Sequence, residues 1–202
     1  MTFINGIPEE EATGKIAEIY EKEKKALGLV TDITKVFCLR PEFMTAWRTL
    51  NSALKKNMDL RHYELATIAA TSSIRCSAWT LAHGAVLRTN FFDSEQVAAI
   101  VRDYRKAGLE PAEEALMAFA EKVLNNSSQV QQEDIDNLRK HGFSDEDIFN
   151  IALTATSRSF FSRVVDAVGF QPPPDWLEKT ENLLGKETYK ALKIGRTYGQ
   201  EE

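Results

Sequence analysis

From Pro8 to Gly169 apolar residues recur at three-to-four spacing almost without pause, and the pauses fall on residues that start or stop helices. A chain patterned this way buries its apolar face as helix, and no run of alternating β-branched residues bounded by turns competes with that reading. The expected fold class is all-α. Pro8 opens a helix through IAEIYEKEKKALG that Gly28 stops, and Pro41 sits in the first turn of PEFMTAWRTLNSAL. Asp59 caps LRHYELATIAA, and the poor helix formers Thr71, Ser72 and Ser73 mark a break before RCSAWTLAHGAVLR, which Asn90 ends. Asp93 and Gln96 have capping-box spacing ahead of VAAIVRDYRKA; Gly108 follows as a C-cap and Pro111 starts EEALMAFAEKVL. After a polar loop, NNSSQ, the helix QEDIDNLRKH runs to Gly142. Ser144 then caps a long apolar helix, DEDIFNIALTATSRSFFSRVVDAV, closed by Gly169 and expected at the centre of the core.

This reading gives seven to eight helices in one domain over residues 1–171. Pro172, Pro173 and Pro174 break the chain before a charged helical extension, 172–202, that either packs on its own domain or clamps a neighbouring subunit. With 202 residues, 43% of them hydrophobic, the chain is long enough for one real core. Its 25 basic and 30 acidic residues leave a net charge of −5 with no basic cluster, which argues against a nucleic-acid partner. No apolar run approaches the roughly 20 residues that span a bilayer, and no basic segment followed by an apolar one opens the chain, so a soluble, cytoplasmic protein without a membrane partner is expected. Cys38 and Cys76 are too few for a disulfide scaffold, and His62, His83 and His141 lie in separate segments that match no zinc-ligand spacing. No metal and no cofactor are expected.

The segment RCSAWTLAHG, residues 75–84, is where chemistry concentrates. With a turn near residues 72–74, the flanking helices form an antiparallel hairpin that brings Glu64 level with His83, where an acid would fix the imidazole's orientation. Cys76 shares a helix face with His83 but stands seven residues away, about 10.5 Å along the axis, too far for a direct hydrogen bond. One turn before His83 stands Trp79.

The run ELATIAATSSIRCSAWTLAH, from Glu64 to His83, resembles the core motif of the AhpD-like alkylhydroperoxidase and carboxymuconolactone decarboxylase family. The likeness extends through PEEEATGKIAEIY, PEFMTAW and LRKHGFSDEDIFNIALTATSRSFFSRVVDAVG, over most of residues 7–170. It implies a helical bundle in a homo-oligomer, often a trimer or hexamer. It also implies a proton relay from Glu64 through His83 to a peroxide-attacking thiol at position 79, with Cys76 resolving it as a disulfide that a dithiol reduces. Here position 79 is Trp79, and Ser162 replaces the family's frequent asparagine ahead of Arg163. Three functions compete. The first is a single-cysteine, thiol-dependent peroxidase acting on a hydroperoxide, with catalytic Cys76, His83 and Glu64 and a substrate pocket at Trp79, Thr80 and Arg75. The second is an acid-base enzyme acting on a lactone acid, and the third a non-catalytic oligomeric binding protein. In the first, Cys76 draws reactivity from a helix N-terminus beside Arg75, and Cys38 or an external thiol resolves its sulfenic acid. Against it stands the reading of Cys76 as a small buried hydrophobe and His83 as a satisfied core histidine. Arg158 and Arg163, on the long helix, are read as salt-bridge partners or subunit-boundary residues, with Phe160 and Phe161 as core or interface anchors.

Overall fold

The computed structural model describes residues 2–196, which carry eleven α-helices, three 3-10 turns and no strand. The helices are α1 Gly14–Leu27, α2 Asp32–Phe37, α3 Pro41–Lys56, α4 Leu60–Ser73, α5 Ser77–Asn90, α6 Ser94–Asp103, α7 Pro111–Asn126, α8 Gln132–Lys140, α9 Asp145–Ala167, α10 Pro174–Leu184 and α11 Lys186–Leu192. Nine therefore precede Pro172, not seven to eight. The unexpected one is α2, whose six residues are too few to display an apolar period; Thr31 caps it by accepting from the Thr34 N–H. Pro8 opens only a 3-10 turn, and α1 begins later, at Gly14, whose φ of 51° no other residue adopts so freely. Asn125 and Asn126 end α7, and Ser127–Gln129 form a 3-10 turn where an irregular loop was expected.

The chain divides into two compact units. One comprises the residues up to Ala53 with Val164–Gln171. Its core holds Ile19, Val30, Ile33, Phe37, Met44 and Trp47, and buried Glu23 is satisfied by the Thr31 N–H and hydroxyl and by the Arg48 guanidinium.

The other comprises Leu54–Arg163 and the residues from Pro172 on. At its centre α4 packs against α5 and α7, and every residue from Tyr63 to Thr71 is buried. A helix enclosed on all sides needs apolar or small residues on every face, which TIAAT supplies. Asp59 caps it through the N–H groups of Arg61 and His62. His62 is half-buried against the Phe143 ring. The charged helices α10 and α11 pack on α5 and α6 and place Leu184 and Leu192 fully inside the same core as Leu65, Leu81, Val97 and Leu116.

Candidate functional site

The break between α4 and α5 falls at Ile74–Cys76, about two residues later than the sequence suggested, because Ser73 still closes the last turn through a hydroxyl bond to the Ala69 carbonyl. Arg75 takes the turn with φ +57°, a left-handed conformation uncommon for a residue with a side chain. Cys76 is then the N-cap of α5, its carbonyl accepting from the Thr80 N–H at 3.0 Å.

The hairpin still joins acid and imidazole. His83 Nδ1 lies 2.5 Å from Glu64 Oε2, and both residues are buried. The other imidazole nitrogen, Nε2, lies 2.5 Å from Arg158 Nη2 of α9. Sequence reasoning missed this contact, since Arg158 was assigned to salt bridges. A guanidinium can only donate, so Nε2 must accept; the imidazole is neutral and Nδ1–H donates to the Glu64 carboxylate. Burial, and then the Arg158 charge, push the His83 pKa from 6.5 to about 4, outweighing the pull of Glu64. Burial also lowers the pKa of Arg158, which is 4% exposed, without removing its charge. A neutral imidazole therefore bridges a buried carboxylate and a buried cation.

The remaining walls are aromatic. Trp79 stands beside His83 (ring centroids 6.2 Å apart) and Phe161 (5.4 Å), and the Arg158 guanidinium lies 5.5 Å from the indole and 5.8 Å from the Phe161 ring. Cys76 Sγ lies 3.9 Å from the Ser162 carbonyl, and Arg158 is within electrostatic reach of that thiol. Among the buried polar atoms with no hydrogen-bond partner among the described residues are Glu64 Oε1, Trp79 Nε1 and Ser162 Oγ, an acceptor, a donor and a hydroxyl.

The other expected site residues are placed differently. Thr80 is fully buried, its hydroxyl donating to Thr71 Oγ1 at 3.1 Å, and so staples α5 to α4. Arg75 is exposed, so the cation buried beside His83 is Arg158. Cys76 is 0% exposed. Across its helix end runs the chain after α11: the Gly195 N–H donates to Ser77 Oγ at 2.8 Å, and a Cβ on Gly195 would collide with the Arg75 carbonyl oxygen. Two surface clefts, of about 490 Å³ beside α7 and α8 and about 160 Å³ beside α4 and α6, include none of Glu64, Cys76, Trp79, His83 or Arg158 in their walls. No group of side chains able to hold a metal ion occurs among the described residues, and no helix there is long and apolar enough to cross a membrane.

The neutral imidazole makes stability depend on pH. Unfolding releases a histidine that titrates near 6.5, so below that pH the unfolded chain takes up a proton that the folded chain refuses until about pH 4. The His83 contribution is intact above pH 6.5 and is lost as the pH falls toward 4, by about 3 kcal/mol. Urea midpoints of wild type and His83→Gln should therefore converge on acidification; parallel pH curves would contradict the assignment.

No protein-family model and no curated protein matches the sequence. Solved structures do. A Ralstonia eutropha protein described as an alkylhydroperoxidase AhpD core, an uncharacterized peroxidase-related protein, aligns over 96% of this chain and 98% of its own with a TM-score of 0.78 at 22% identity. The chain has the AhpD-like fold. An uncharacterized peroxidase-related protein from Silicibacter shares it at 24% identity and TM-score 0.73, over 86% of this chain and 90% of its own. The AhpD-like fold also matches a cysteine-to-alanine variant of the debrominase Bmp8 in complex with 2,3,4-tribromopyrrole, at 14% identity and TM-score 0.72 over 91% and 98% of the two chains.

Proposed function

We propose that the chain is a peroxidase-related oxidoreductase with a single working thiol, Cys76, served by Glu64, His83 and Arg158. The observation that carries this reading is the buried line of hydrogen bonds Glu64–His83–Arg158, which ends on a cation within electrostatic reach of a thiol at a helix N-terminus. A purely structural core would gain little from burying a carboxylate and a guanidinium at that spot, since their desolvation is costly. Trp79 keeps His83 from acting on sulfur directly. Glu64 and His83 are then positioning residues: they hold the guanidinium, which favours the Cys76 thiolate.

In the reaction the Cys76 thiolate attacks the terminal oxygen of a hydroperoxide. An S–O bond forms, the O–O bond breaks, and the alkoxide that leaves takes a proton to become an alcohol. Cys76 is left as sulfenic acid. One thiol of an external dithiol displaces water from that sulfur, and its second thiol releases Cys76 as the dithiol closes to a disulfide.

A second reading is favoured by one observation, the complete enclosure of Cys76: the AhpD-like site is packed shut, with Trp79 and Arg158 as its filling. The two are separated by hydroperoxide consumption with a dithiol donor, wild type against Cys76→Ser. Our reading expects turnover in the first and none in the second; equal rates would remove it.

A further inference from the structure

Tyr63 immediately precedes Glu64 on α4 and is 0% exposed. A phenylalanine would fill that space without a hydroxyl to desolvate, so a tyrosine there needs a partner for its oxygen. Arg158 supplies one: the two side chains share a hydrogen bond, and since a guanidinium can only donate, the phenol oxygen accepts. Thr67, one turn along α4, lies beside the same oxygen. The Tyr63 ring also stands edge-on to the His83 imidazole of α5, with centroids 6.3 Å apart. Charged groups reach it from three helices: Glu64 on α4 itself, Arg158 on α9, and Lys55 on α3, whose Nζ lies 5.2 Å from the ring centre.

We infer that Tyr63 is a positioning residue for the guanidinium, fixing where the Arg158 charge stands relative to Cys76. The inference rests on Cys76 as the working thiol and adds Tyr63 to the Glu64, His83 and Arg158 of that reading. His83 Nε2 takes one N–H, at Nη2. A planar cation held by a single bond can pivot about it, and a second acceptor removes that freedom. One helix thereby sets both groups: Glu64 orients the imidazole, and its chain neighbour Tyr63 orients the guanidinium. Burial raises the phenol's pKa above its usual 10, so the hydroxyl stays neutral and directs the cation without cancelling its charge.

Alkylation of Cys76 against pH, followed by peptide mass in the full chain, tests this in wild type, Tyr63→Phe, Arg158→Lys and the double variant. Enclosure slows the reagent at every pH alike, so the midpoint of the profile is read and not the rate. Tyr63→Phe keeps the ring and is expected to raise the midpoint by about one pH unit, which is about tenfold less thiolate at any pH below it. Added to Arg158→Lys it should shift the midpoint no further, because the group it acts through is gone. Ile68→Val, a packing change at a fully buried position of the same helix, should lower the unfolding temperature and leave the midpoint in place. An unchanged midpoint in Tyr63→Phe, an equal shift in the Arg158→Lys background, a shift in Ile68→Val as large as that in Tyr63→Phe, or a Tyr63→Phe chain that does not fold would overturn the inference and leave Cys76 as the working thiol. A wild-type midpoint at that of a free thiol would instead remove the reading of Cys76, and this inference with it.

Discussion

Replacing Arg158 with methionine is expected to destabilise the protein by about 3–5 kcal/mol, the cost of leaving one member of a buried charge pair behind. Methionine roughly fills the volume, so little of this loss comes from a cavity. What it removes is the donor on His83 Nε2 and the charge that balances Glu64 across the imidazole. Adding Glu64→Gln removes the stranded charge while an amide oxygen can still accept from His83 Nδ1–H. The double variant should regain much of the loss, and the non-additivity measures the coupling through His83. A single-variant cost below about 1 kcal/mol, or strict additivity, would mean the three residues do not act as one unit.

The second large effect concerns access to Cys76. A side chain at Gly195 would collide with the Arg75 carbonyl, and the Gly195 N–H holds Ser77. Gly195→Val should lift residues 193–196 from the start of α5 without disturbing the helices. A lost hydrogen bond of about 1 kcal/mol and a steric cost of about 1–3 kcal/mol together raise the open population roughly a hundredfold. Alkylation of Cys76 by a small reagent should accelerate by that factor. Cys38, 1% exposed, serves as an internal control. If only Cys76 speeds up, the segment is its cover; if both do, the variant has loosened globally; if neither does, the cover lies elsewhere.

Much of this was legible in the sequence because caps and breakers act locally. Gly28, Asp59, Asp93 and Pro111 each sit at the helix end that their chemistry dictates. That Glu64 stands near the level of His83 followed from the hairpin and survived a two-residue shift of its turn, whereas their contact depends on the rotation of each helix, which the spacing did not give. Trp79 beside His83 followed from helical spacing alone. Arg158 was not legible as part of the site, since its partner lies 75 residues away and nothing local names it. A signal existed: flanked by Thr154 and Ser162 one turn either side, it has no acid on its own face, so its counter-charge had to lie on another helix. The enclosure of Cys76 was equally hidden, for it involves a glycine 119 positions downstream whose role is only to be small.

The most direct test of the redox assignment is to treat the protein with a hydroperoxide, trap sulfenic acid with a selective carbon nucleophile, and read the cysteine peptides by mass. The account predicts an adduct on Cys76 and none on Cys38, formed faster in Gly195→Val and prevented by prior exposure to a dithiol donor that consumes the peroxide through the enzyme. An unmodified Cys76 in both proteins, with the hydroperoxide still intact, would contradict it.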